Sequence, residues 1–157
     1  MNTKMMNNST IVTLLVILFS SCSGIDSRKT NSDAINLIGT WQLVTGTTIT
    51  KGVSTITDYT KGQKMIKILN ETHFAFLKHN TNKDSLINFD AGGGTYTLNG
   101  NDYTEHLDFY NDRNWEGKAF KFKITLKNDT LIQTGIERVE KENIDRIIIE
   151  KYIRLAK

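Results

Sequence analysis

In the stretch YTEHLDFY, residues 103 to 110, period-two alternation puts Tyr103, Glu105, Leu107 and Phe109 on one face, so a carboxylate stands among side chains that belong in a core. Glu150, Tyr152 and Arg154 share a face near the C-terminus in the same way. Inward-facing charges must pair with one another, reach water or hold a ligand, because an unpaired buried ion is costly. Tyr103, Glu105, Glu150, Tyr152 and Arg154 therefore form the candidate ligand-binding set. A satisfied plug of Glu and Arg is the structural alternative. The opposite parity of the last strand, with Ile147, Ile149 and Ile153 inward, would send Arg154 to the surface and dissolve half the set.

Other chemistry finds fewer players. Zinc needs three or four convergent ligands, and His73, His79 and His106 read as ordinary strand histidines. Glu105 and Asp108 differ in parity and point to opposite faces. No Gly-x-Ser-x-Gly elbow occurs. A phosphate cradle offers backbone N–H groups at the start of a helix, yet Gly92-Gly93-Gly94 runs on into the strand-like TYTL, so a bulge or barrel corner is expected there. The expectation is a protein that is not an enzyme and carries no metal and no cofactor.

The elements that must position these residues are strands. Alternation recurs at 40–46, 53–60, 64–69, 73–79, 95–98, 103–110, 119–126, 130–139 and 146–155, rich in Val, Ile, Thr, Tyr and Phe. Short breakers such as Lys51-Gly52, Asn99-Gly100-Asn101-Asp102 and Lys127-Asn128-Asp129 separate them, and turns of that length make hairpins. The chain contains no proline. Many short strands in succession must curl shut or form a sandwich to hide their edges. Moderate loops favour an all-β, antiparallel up-and-down barrel of about eight to ten strands over residues 37–157. Such a barrel is either filled by its own side chains or keeps room for one small molecule.

The first 36 residues read as an address and a tether. A polar start with Lys4 precedes the apolar run IVTLLVILF, residues 11 to 19, too short to span a bilayer as a helix. Phe19-Ser20-Ser21-Cys22 resembles the lipobox of bacterial lipoproteins, with Phe19 where leucine is usual. That resemblance implies a signal peptide over 1–21, acylation of Cys22 and a membrane-anchored protein of the bacterial cell envelope, expected at the outer membrane. Residues 22–36, rich in Ser, Asp, Asn and charge, read as a flexible tether. Cleavage before Cys22 removes Lys4 and leaves 19 basic against 17 acidic side chains, a balance that argues against a nucleic-acid partner.

Gly39-Thr40-Trp41 at the start of the body suits a barrel bottom: the indole plugs the end, and the glycine lets the backbone bend close to it. Arg154 on the last strand is placed to lie over that ring. An early Gly-x-Trp with a late Arg resembles the lipocalins and the wider calycin superfamily. The stretches MIKILNETHFAFLKHN, GGGTYTLNGNDYTEH, GKAFKFKITL and IEKYIRL are similar to a lipocalin-like family of small bacterial lipoproteins of unassigned function. Tyr152 stands where that family usually has tryptophan. The resemblance implies a lipid-anchored barrel that binds a small apolar or amphipathic ligand. The alternative is an interaction or inhibitor-like module with a filled barrel, whose loops, including Trp115 and residues 139–145, meet an envelope protein partner.

Overall fold

The computed structural model describes residues 35 to 82 and 88 to 156. The expected signal peptide, Cys22 and the tether up to residue 34 lie outside the described residues. Nine strands follow one another: β1 (Gly39–Thr50), β2 (Val53–Asp58), β3 (Gln63–Leu69), β4 (His73–Asn80), β5 (Asp90–Asn99), β6 (Asp102–Tyr110), β7 (Lys118–Lys127), β8 (Thr130–Val139) and β9 (Ile144–Arg154). From β3 onward each pairs antiparallel with the next, and β9 returns to pair with β1. The other side of β1 is shared, its residues 39–42 pairing with β3 and 45–50 with β2. β2 and β3 are thus two lengths of one wall, interrupted at 59–62, and eight wall positions close a lipocalin-like barrel.

Local chemistry explains the meander. On β7, Phe120, Phe122 and Ile124 are buried while Lys121, Lys123 and Thr125 are exposed, the alternation that rolls an antiparallel sheet around one core. Three two-residue hairpins begin with a residue in the left-handed region: Lys51 at φ 49°, Gly100 at φ 59° and Asn128 at φ 52°. Turns of this hand match the twist of the flanking strands. The buried core of the described residues, including Trp41, Leu43, Phe74, Ile124, Leu131 and Tyr152, lies inside the cylinder. Residues 35 to 156 belong to one compact unit with this core of its own, the condition for folding alone.

The triple glycine of β5 lies opposite a bulge in β6. Leu107 pairs with Gly94 and Phe109 with Gly93, so Asp108 is an extra residue on β6. A Cβ on Gly94 would stand 1.9 Å from the His106 carbonyl oxygen, which leaves room for glycine only. The Asp108 carboxylate accepts a hydrogen bond from the Thr95 N–H at 3.1 Å and ties the bulge down. The extra residue reverses the parity beyond it. Phe109, expected inward with Tyr103, Glu105 and Leu107, is 69% exposed instead, and Tyr110 packs against the core.

One pole is closed by Trp41, which is fully buried and donates from its indole Nε1 to the Leu37 carbonyl at 2.8 Å. The Arg154 guanidinium lies 4.0 Å from the centre of that ring and donates to the Ile38 and Asn36 carbonyls at 2.6 and 2.9 Å. Gly39, at φ 140°, makes this possible, since a Cβ there would meet Arg154 Nη1 at 2.8 Å. The glycine two places before the tryptophan thus leaves the space the arginine occupies. Arg154, expected inside the barrel as part of the ligand set, caps this pole because its strand ends here and backbone carbonyls capture its donors.

Candidate functional site

Above the pole the barrel encloses a cavity of about 200 Å³. Its floor is organised by Lys67 of β3, which is 3% exposed. Met65, Lys67 and Leu69 alternate along that strand, so the register that turns the leucine inward turns the lysine inward too. Lys67 Nζ donates to Glu105 Oε1 at 2.6 Å and to Gln133 Oε1 at 3.1 Å. It also lies 5.1 Å from the centre of the Tyr152 ring and 5.8 Å from that of Phe74. Glu105 accepts a further bond from the Tyr103 hydroxyl at 2.9 Å. An ammonium and a carboxylate removed from water persist only with such complete partnering.

Glu150 faces the same cavity and accepts the Tyr152 hydroxyl at 2.7 Å. Each carboxylate therefore has a phenol donor two residues away on its own strand face. Burial, reinforced by the neighbouring carboxylates, pushes the Tyr103 and Tyr152 phenols far above their ordinary range, so both remain protonated donors. Burial also raises the Glu150 carboxyl above its ordinary 4.5, with Lys67 pulling the other way.

A raised carboxyl means the unfolded chain releases this proton first. Its contribution to stability is full below about pH 4.5 and falls as pH rises through the raised folded value. Glu150→Gln should remove that fall: urea midpoints of variant and wild type, compared from acid to neutral pH, should diverge in the variant's favour as pH rises. Parallel curves would show that the carboxyl is not perturbed.

Toward the mouth the wall is aromatic. Tyr110 meets Phe76 with ring centres 6.0 Å apart and Trp115 at 6.2 Å, and Trp115 meets Phe120 at 5.6 Å. Two ion pairs sit among these rings, Lys78 with Asp90 at 3.8 Å and Arg146 with Glu137 at 2.6 Å. Burial, then the charge of Asp90, pushes the Tyr110 phenol up to about 12. Trp115, which the alternative reading puts on a partner-contacting loop, packs half-buried against the core and lines the cavity. The turn at 112–118 folds back through Trp115 N–H to Asp112 and Gly117 N–H to Leu107, which lays the indole over the mouth, where Arg146 approaches its ring.

Of the five residues read as a ligand set, Glu105, Glu150 and Tyr152 line the cavity. Tyr103 is buried beside them and supports Glu105, while Arg154 serves the pole. The last strand takes the parity that turns Ile148, Glu150 and Tyr152 inward. Lys67 and Gln133 were not among the expected residues. The signal for both was present: each is a polar residue on the inward parity of its strand, between Met65 and Leu69 and next to Leu131 in the alternation.

The family described as "Domain of unknown function (DUF4488)" matches residues 36–157. No curated protein matches the chain. Among solved structures, a lipocalin-like protein from Bacteroides uniformis is similar at 20% identity, covering 76% of this chain and 98% of its own, with a TM-score of 0.47.

Proposed function

The chain belongs to the family described as a domain of unknown function, DUF4488, and we propose that it is a binding protein whose barrel takes one small amphipathic molecule. A single observation carries this reading: the barrel is not filled, and its cavity of about 200 Å³ combines a charged floor with an aromatic wall. A buried apolar cavity of about 150 Å³ is enough to bind benzene. A charged floor beneath such a wall suits a ligand with one polar end and one aromatic or short aliphatic end.

Calorimetric titration of residues 36–157 with 2-phenylethanol, 2-phenylethylamine and 3-phenylpropanoate tests the reading. At least one should bind saturably, and Ile148→Phe, which fills part of the cavity, should weaken it. A barrel that leaves all three unbound overturns the proposal.

We further propose that the barrel is held at the bacterial envelope by lipid on Cys22, a reading supported by the apolar run and small residues before that cysteine. The chain enters the barrel across the closed pole, where Arg154 holds the Asn36 and Ile38 carbonyls. Labelling with a fatty-acid analogue should mark the full chain and not its Cys22→Ala variant, and equal labelling of both would sink the anchor.

A further inference from the structure

We propose that the polar end of the ligand is a protonated amine, seated on Glu150. This rests on the cavity-binding reading above and specifies its chemistry. Four carboxylates line the cavity among the described residues: Asp90, Glu105, Glu137 and Glu150. Three cations line it with them, and each is committed to one of the first three: Lys78 to Asp90, Lys67 to Glu105 and Arg146 to Glu137. Glu150 is left over. Among the described residues no lysine or arginine lies within ion-pair distance of it, and its one hydrogen bond comes from a phenol.

Lys67 offsets Glu150 only in part, because its ammonium is already bonded to Glu105 and Gln133 while its remaining side faces rings. Burial accordingly holds the Glu150 carboxyl above its ordinary value. A ligand ammonium supplies the missing positive charge and a charge-assisted hydrogen bond. An anionic ligand would find no free cation there, because Lys67, Lys78 and Arg146 are already paired.

The walls point the same way. The barrel already places cations on its aromatic faces, with Lys67 on Tyr152 and Arg146 on Trp115. Rings whose faces attract cations are suited to an ammonium entering between them. The volume limits the rest of the molecule to roughly one aromatic ring and a short linker. The class that fits is a primary arylalkylamine or a short alkylamine of similar bulk.

The test compares one scaffold with three polar ends. With residues 36–157 at neutral pH, 2-phenylethylamine should bind at least about tenfold more tightly than 2-phenylethanol, the scale of one charge-assisted hydrogen bond, and 3-phenylpropanoate most weakly. Glu150→Gln should remove the advantage of the amine over the alcohol. If the alcohol or the carboxylate binds as well as the amine, the amine inference falls and the cavity-binding reading stands. If none of the three binds, both fall. An amine preference that survives Glu150→Gln overturns the assignment to Glu150. Should that variant fail to fold, the ranking of the three compounds on the wild-type protein still decides the charge preference.

Discussion

Replacing Lys67 with methionine is expected to destabilise the barrel by about 3–5 kcal/mol at neutral pH, the usual cost of stranding one partner of a buried ion pair. Methionine nearly matches the volume of the lysine stem, so packing changes little and the effect reports the charge. Glu105 would keep the Tyr103 hydroxyl but lose its ammonium at 2.6 Å, and Gln133 would lose its donor. Glu150, already disfavoured as an anion by burial, would lose the one cation that offsets it. The loss should shrink in acid, as Glu150, whose carboxyl burial holds above its ordinary value, takes up its proton. The double variant Lys67→Met with Glu105→Leu should recover most of it, because an apolar replacement for a whole buried pair is often neutral. Urea unfolding of the three proteins measures this. A Lys67→Met variant within about 1 kcal/mol of wild type would mean that the lysine gains nothing from its buried partners.

The strand set, its closure and the indole plug were legible because each rests on period-two patterning or on one large aromatic beside a glycine. The outlines of the floor were legible too, since an acid between Tyr103 and Leu107 breaks an apolar alternation. Lys67 was harder to read. Lysine usually carries its charge out of a core along its flexible stem, so in KMIKIL the eye assigns the lysines to the outer face, although Lys64 and Lys67 have opposite parity. Register turns Lys67 inward, and the partners that hold its ammonium there, Glu105 and Gln133, are 38 and 66 residues away in sequence. Long-range pairing of this kind is invisible in any single strand.

Phe109 was misplaced for a different reason. Parity is reliable only up to the next irregularity, and the extra residue at Asp108 is imposed by the close approach of Gly94 to the His106 carbonyl. Nothing in YTEHLDFY itself announces it. The turn that follows then folds Trp115 over the mouth, turning an apparent surface aromatic into part of the cavity wall. Phe109 and Trp115 both belong to the mouth, the part of the barrel where loops rather than ladders set the positions. The floor, held by paired strands, was the better read.

Trp41→Ala is the second large effect, an expected loss of about 3–5 kcal/mol. The ring is fully buried, so its removal opens a void at the pole that strands on every side prevent from collapsing. Two polar groups lose partners with it: the Leu37 carbonyl loses the indole N–H at 2.8 Å, and Arg154 loses the face it lies on at 4.0 Å. Arg154→Met should cost less, because Trp41 stays in place and the stem of the replacement still covers part of the ring, while the cation-π contact of about 0.5–2 kcal/mol and the bonds to Asn36 and Ile38 go. Gly39→Ala should approach the arginine loss, since its Cβ would displace the guanidinium and the backbone at φ 140° resists a side chain. Combined with Arg154→Met, the glycine substitution should add only its backbone strain, because the group it collides with is gone. Thermal and urea unfolding of the four variants gives the ranking. If Trp41→Ala unfolds no more readily than Arg154→Met, the indole is not what closes the pole.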